Sequence, residues 1–80
     1  MAELLAHIAR LLVDAPEAVR VEEEETADGL VLVLHVAPED VGKVIGRQGR
    51  IARALRTLVR ASAAREGRRV LVEIADPDPE

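Results

Sequence analysis

The amino-acid sequence predicts an α+β domain with a three-stranded mixed sheet and helices packed on one face. Apolar residues recur at helical spacing near the N-terminus and again from about residue 50 to residue 66. Shorter stretches at 19–26, 30–36 and 68–75 have the alternation or the β-branched, aliphatic content of strands. With a short helix before residue 46, the predicted order is α-β-β-α-α-β over residues 1–75.

The first helix is predicted from Glu3 to Val13. Its apolar face would consist of Leu4, Leu5, Ile8, Leu11 and Leu12. Ala6 and Arg10 are expected on the other face. Asp14-Ala15-Pro16 follows and ends the helix, because proline disfavours helical conformation in the residue before it.

A β-hairpin is predicted next, with its turn at Ala27-Asp28-Gly29. Its first strand holds four consecutive glutamates, 22–25, whose side chains alternate between the two faces and therefore cannot converge on one metal ion. Charged residues suit an edge strand, since they oppose edge-to-edge aggregation. The second strand, Leu30 to Val36, is almost continuously apolar, which is typical of a central strand.

Two helices are predicted between the second and third strands. A short one begins at Pro38, and a long one runs from Arg50 to about Glu66, where Gly67 stops it. The expected core face of the long helix is Ile51, Leu55, Leu58, Val59 and Ser62. A helical crossover of this kind makes the strands that it joins parallel. The acidic, proline-broken residues 76–80 are predicted to be a disordered tail.

The charge of the chain is strongly segregated. Lys43 to Arg69 contains nine basic residues and one acidic residue, a charge of +8, while the rest has two basic and fourteen acidic residues, a charge of −12. Such segregation predicts an electropositive face and an anionic partner. Arg53, Arg56 and Arg60 lie within about 60° of one another on the long helix, on the side opposite its apolar face.

Composition excludes several classes of function. Phe, Tyr and Trp are absent, so nucleic-acid bases cannot stack on aromatic side chains. No cysteine is present, and His7 and His35 are far apart on different elements, so we expect neither metal nor cofactor. Nucleophile-elbow and Walker motifs are also missing, which predicts a protein that is not an enzyme. Without a long apolar run or a basic signal-peptide start, a cytoplasmic protein is expected.

A Gly-x-x-Gly segment at residues 46–49 precedes the long helix. Glycine permits tight, positive-φ backbone and close approach by another chain. At the start of a helix, unpaired N–H groups and the positive end of the dipole suit a phosphate. Arg47 and Arg50 place cationic side chains beside this loop. We therefore expect a phosphodiester backbone to lie across it.

The stretch from Val36 to Thr57, in this element order, resembles a type II KH domain. It is most similar to the KhpA family of small bacterial single-domain RNA-binding proteins. The resemblance implies that Gly46, Arg47, Gln48 and Gly49 clamp the backbone of single-stranded RNA over about four nucleotides.

The same resemblance assigns roles to the residues around the clamp. Val44, Ile45 and Ile51 would form the aliphatic floor of the binding groove. Lys43, Arg50 and Arg53 would hold adjacent phosphates. Many KH sequences have a branched apolar residue three positions after the second glycine, where this chain has Ala52.

The resemblance further implies self-association, pairing with a larger RNA-binding partner of the KhpB type, and RNA-chaperone regulation linked to cell elongation and peptidoglycan homeostasis. The alternative is a protein–protein adaptor that keeps a dimer surface and binds RNA weakly or not at all. Two surfaces would suit such contacts. One is the open sheet face with Val31, Val33 and Leu71; the other is the slim half of the long helix with Leu58, Ala61 and Ala64.

Overall fold

The predicted order α-β-β-α-α-β is confirmed by a computed structural model, which describes residues 1–75. The helices are α1 (Ala2–Leu12), α2 (Val41–Ile45) and α3 (Arg50–Arg65), and the strands are β1 (Arg20–Thr26), β2 (Gly29–His35) and β3 (Val70–Ile74). Short 3₁₀ turns occupy Pro16–Ala18, Pro38–Asp40 and Arg47–Gly49. The predicted tail, 76–80, lies outside the described residues. Within residues 1–75, no helix is long and apolar enough to cross a membrane.

The sheet has β2 at its centre, as the apolar run predicted. The strand order is β1-β2-β3, with β1 antiparallel and β3 parallel to β2. Leu30, Leu32 and Leu34 are buried beneath the helices, whereas Val31 and Val33 are half-buried on the opposite face. Both β1 and β3 are therefore edge strands, and the glutamate run lies on the edge that was predicted for it.

The edge strand β1 carries one carboxylate with a shifted pKa. A 2.7 Å hydrogen bond joins Glu22 to His35 across the hairpin, and Arg20 lies 3.1 Å from the other carboxylate oxygen. The His35 hydrogen bond, followed by that from Arg20, holds the pKa of Glu22 below its usual 4.5. The stabilisation is therefore present above that value and is lost as the pH falls through the lower pKa of the folded state.

The core faces of the long helices differ from those predicted. In α1 the buried side chains are Leu5, Ala6 and Ala9, while Leu11 is 73% exposed. The prediction that Ala6 faces solvent is wrong. Small residues at this face let the helix lie close to its neighbours, so close packing outweighs the greater hydrophobicity of the leucines on the flank.

The same correction applies to α3. Its buried residues are Ala52, Leu55, Val59 and Ala63, and Leu58, which was predicted for the core, is 51% exposed. Ile51 and Ser62 are half-buried at the margin. Along the packed face, Leu55 and Val59 thus lie between Ala52 and Ala63. The helix α3 is rotated about its axis by part of a turn relative to the predicted orientation.

Gly29 allows the start of β3 to approach the start of β2. Its φ is +132°, and a Cβ there would lie 2.5 Å from the Arg69 carbonyl oxygen. That oxygen accepts a 3.0 Å hydrogen bond from the Leu30 N–H. The glycine of the Asp-Gly pair is therefore needed for a close approach between strands, and the two turn residues proper are Ala27 and Asp28.

Asp40 is a fully buried charged side chain that the sequence did not single out. Its Oδ2 accepts a 3.0 Å hydrogen bond from the Ala15 N–H, and its Oδ1 lies 3.6 Å from Lys43 Nζ. The carboxylate thereby attaches the connection after α1 to the turn before α2.

We expect Asp40→Ala to lower the free energy of unfolding by about 2–3 kcal/mol, because the partly buried Ala15 N–H loses its acceptor and Lys43 loses a charged neighbour. Urea unfolding measures the change. Asp40→Asn keeps an oxygen for the Ala15 N–H and should lose less, and the exposed neighbour variant Glu39→Ala is the control. Equal stability of Asp40→Ala and Glu39→Ala would contradict this role.

Candidate nucleic-acid interface

The Gly-x-x-Gly loop begins where Gly46 turns the chain out of α2. Gly46 has φ 77° and ψ 171°, a conformation that is essentially confined to glycine. A Cβ on it would lie 2.7 Å from Ile51 Cγ1 and 2.9 Å from the Ile51 amide nitrogen. The loop therefore rests directly on Ile51, and glycine at position 46 is required by both backbone angle and space.

The second half of the loop is left-handed. Gln48 (φ 57°) and Gly49 (φ 75°) both have positive φ, and the Gly49 N–H donates to the Gly46 carbonyl over 3.1 Å. A Cβ at Gly49 would meet open space. The loop is thus a tight turn whose outer side, at Arg47 and Gln48, is exposed.

α3 begins at this turn with its N-terminus open. Gly49 is the N-cap residue, and within residues 1–75 no side chain caps this helix end. Helix N-termini have unpaired N–H groups and a partial positive charge, which favour an anion. The exposed side chains of Arg47 and Arg50 flank the same point.

Arg53 is held against the loop. Its Nη2 donates a 2.8 Å hydrogen bond to the Gln48 carbonyl oxygen, one helical turn away from the loop. The contact supports the left-handed conformation of Gln48. It also keeps a guanidinium group beside the turn.

The Lys43 ammonium group is paired with carboxylates of the protein. Its Nζ lies 3.2 Å from Asp14 Oδ2 and 3.6 Å from Asp40 Oδ1. The hydrogen bond with Asp14 raises the pKa of Lys43 above its usual 10.5, so the ammonium group stays charged but faces two carboxylates. Of the cations predicted to hold phosphates, Lys43 is the one that pairs with carboxylates among residues 1–75.

The predicted aliphatic floor is reduced from three residues to two. Val44 is fully buried and belongs to the core, so it has no surface to offer a ligand. Ile45 is 37% exposed beside the loop, and Ile51 is half-buried beneath it. Ala52, which stands where many KH sequences have a branched apolar residue, is buried in the core.

The sequence predicted Arg53, Arg56 and Arg60 on the side of α3 away from the core. In the structure, this arginine flank lies over the free edge of β3. Half-buried Arg56 donates from Nε to the Val72 carbonyl oxygen over 3.1 Å. Arg60, one turn further on, lies near Arg69 and Val70. The three-to-four-residue spacing from Arg53 through Arg60 indicated the shared flank, but only the helix orientation shows that it borders a strand edge.

Comparison with known proteins gives a consistent result. A family model described as "KhpA/KhpB, KH domain" matches residues 2–74. The RNA-binding protein KhpA of Caldanaerobacter subterraneus subsp. tengcongensis is 57% identical over 74 residues, 92% of this chain and 99% of that protein. RNA-binding proteins KhpA of Clostridium acetobutylicum (54%, covering 92% and 99%) and Halalkalibacterium halodurans (50%, covering 95% and 100%) are also similar.

Among solved structures, the crystal structure of Aquifex aeolicus Era resembles the chain with a TM-score of 0.68 and 22% sequence identity. The match covers 91% of this chain and 28% of the Era chain. At this identity the likeness concerns the fold alone.

Proposed function

This chain belongs to the KhpA/KhpB family of KH domains, and we propose that it binds single-stranded RNA by gripping the sugar–phosphate backbone at Gly46–Gly49. The observation that carries the proposal is the exposed, left-handed turn at the N-terminus of α3, which no side chain in the described part of the chain caps and which arginines surround. Relatives that are named RNA-binding proteins support it.

The geometry suggests how the grip would work. A phosphate placed at the start of α3 would meet backbone N–H groups and the positive end of the helix dipole. Arg47 and Arg50 would supply charge and hydrogen bonds to phosphate oxygens. Ile45 and the exposed edge of Ile51 would offer an apolar surface to a base or ribose. Such binding needs no catalytic step, and we propose none.

This mechanism predicts that Arg47 and Lys43 contribute differently to RNA binding. Arg47→Met should weaken RNA binding and reduce the slope of log K against log salt by about 0.7, the value for one phosphate contact with a single strand. Lys43→Met should leave the slope nearly unchanged, because Lys43 is paired with Asp14 and Asp40. Fluorescence anisotropy across a salt series measures both. A larger slope change for Lys43→Met than for Arg47→Met would contradict the assignment.

The family resemblance extends the proposal to physiology. By that resemblance we propose a cytoplasmic RNA chaperone or post-transcriptional regulator that is linked to cell elongation and peptidoglycan homeostasis. It would act as a homodimer, with a KhpB-type partner, or both.

A protein–protein adaptor is the second candidate. Two exposed leucines favour it: Leu58 on α3 is 51% exposed and Leu71 on β3 is 46% exposed. Light scattering with and without RNA separates the two functions. A stable dimer that ignores RNA at low salt would support the adaptor and count against the RNA clamp.

A further inference from the structure

We propose that the free edge of β1 binds an extended, basic segment of a partner protein, which would add to the sheet as a further strand. β1 lies at the end of the sheet opposite β3, and every residue in it except Val21 is exposed. An exposed strand edge can form main-chain hydrogen bonds with another chain. None of the residues involved belongs to the loop at 46–49, so the inference does not depend on RNA binding.

The register of the hairpin shows which backbone groups of β1 are free. The Leu30 N–H and the Leu34 carbonyl oxygen both bond toward the β3 side of the sheet. These two residues stand opposite Glu25 and Val21 in β1. Because bonded and non-bonded pairs alternate along an antiparallel pair of strands, Val21, Glu23 and Glu25 direct their N–H and C=O groups away from β2. Three alternate residues thus present donors and acceptors to an added strand.

The side chains along this edge favour a cationic partner. Glu22 and Glu25 are each paired with an arginine of this chain. Glu23 and Glu24 have no cationic group within 4 Å in the part of the chain that the structure describes. Successive side chains point to opposite faces of a sheet, so a lysine or arginine on each face of the added strand would meet one of these two carboxylates.

A second copy of this chain fits the same edge poorly. In the symmetric antiparallel pairing of two β1 strands that overlaps their whole length, Glu23 would lie opposite Glu23, and Glu22 opposite Glu24. Like charges directly opposite each other are destabilising. The glutamates therefore oppose self-pairing and attract a basic strand, so the same side chains select between the two partners.

A cleft beside the edge adds a place for an apolar side chain. It lies between α1 and β1 and has a volume of about 540 Å³. Its lining combines small or apolar residues with polar ones: Ala2, Ala6 and Val21 with Glu3, His7 and Arg10. Val21 is on the helix-covered side of the sheet, because Leu34 opposite it is buried beneath the helices. An apolar side chain of the added strand next to Val21 would enter this cleft, where Arg10 would oppose a cation.

Peptide binding tests this inference. The probe is a fluorescein-labelled peptide of about nine residues in which pairs of valines alternate with pairs of lysines, so that each face of the extended peptide carries both. The comparison peptide has the same side chains but is N-methylated at its central residues, which removes backbone donors from both of its edges. We expect the unmodified peptide to bind at least about ten-fold more tightly in fluorescence anisotropy, since two or more hydrogen bonds are at stake.

Binding should also change the exchange of particular amide hydrogens. The N–H groups of Val21, Glu23 and Glu25 are free before binding, so the unmodified peptide should slow their exchange by about ten-fold or more. The N–H groups of Glu22 and Glu24 already bond to β2 and should change less. Such alternation along β1 is specific to an added strand, whereas a cation that binds only the carboxylates would not produce it.

The variant Glu23→Gln with Glu24→Gln should weaken binding of the unmodified peptide by about 3–10-fold. Its matched control, Glu39→Gln with Glu66→Gln, removes the same charge from exposed positions outside β1 and should have little effect. Thermal unfolding checks that both variants are folded. Equal binding of the two peptides by the wild type would overturn the added strand, and so would equal weakening by the two variants or no binding of the unmodified peptide at low salt.

Discussion

Arg47→Asp combined with Gln48→Asp is expected to weaken binding of single-stranded RNA by at least about 100-fold, a loss of roughly 2.7 kcal/mol. One guanidinium group is removed and two carboxylates are placed where phosphates would lie. Like charges brought together at an interface cost several kcal/mol. If the loop grips the backbone, no other change of two side chains should be as damaging.

The fold should survive this double substitution. Both side chains are exposed, so no core contact is lost. Gln48 has φ 57°, and aspartate is among the few residues that tolerate left-handed backbone. The Arg53 bond to the Gln48 carbonyl involves the backbone and is retained. Circular dichroism and thermal unfolding check these points.

Thr57→Asp with Arg65→Asp is the matched control, because it makes the same change in charge at exposed positions of α3 away from the loop. Fluorescence anisotropy with labelled RNA should separate it clearly from the loop variant. If the two variants bind RNA equally well, the position of the charge does not matter and the clamp is refuted.

Gly46→Ala should lower the free energy of unfolding by about 2–4 kcal/mol. Its φ and ψ lie in a region that alanine avoids, at a cost of about 1–3 kcal/mol. The new Cβ would also lie 2.9 Å from the Ile51 amide nitrogen, a backbone atom that cannot move without shifting α3. Urea unfolding measures the loss.

Gly49→Asn is the control for this prediction. Gly49 also has positive φ, but its ψ of 16° places it in the left-handed region that asparagine tolerates, and a Cβ there meets nothing within 4 Å. Its effect should stay below about 1 kcal/mol. Equal stability of the two variants would show that Gly46 is not constrained by Ile51.

The sheet could be predicted from sequence because the position and pairing of its strands depend largely on residues that are close together in the chain. The apolar run 30–36, the glutamates 22–25 and the Asp28-Gly29 pair each indicate strand position or pairing through nearest neighbours. The crossover through two helices then determines the parallel partner. The loop at 46–49 could also be located from sequence, because two glycines at that spacing before a helical stretch permit the positive φ values that the structure has at Gly46 and Gly49.

The helix faces and the ion pairs could not be predicted in this way. Ala52 displaces Leu58 from the core because α3 packs at a distance that suits alanine, and that distance is a property of the whole assembly. Asp40 bonds to Ala15, twenty-five positions away, and draws Lys43 with it. The Asp40–Ala15 contact joins distant parts of the chain, so no local pattern predicts it, whereas the i,i+3 spacing of Asp40 and Lys43 could have indicated their pairing.

The structure changes which of the residues predicted to contact RNA are accessible beside the loop. Val44 belongs to the core and Lys43 to an ion pair, whereas Arg56 and Arg60 border the edge of β3.

The most direct measurement is an NMR titration of the ¹⁵N-labelled chain with single-stranded oligouridine. If the RNA backbone lies across the loop, the largest amide shifts should occur at Gly46, Gln48, Gly49 and Arg50, with smaller shifts along α3. Shifts confined to the open sheet face around Val31, Val33 and Leu71, with the loop amides unshifted, would contradict binding of the RNA backbone at the loop.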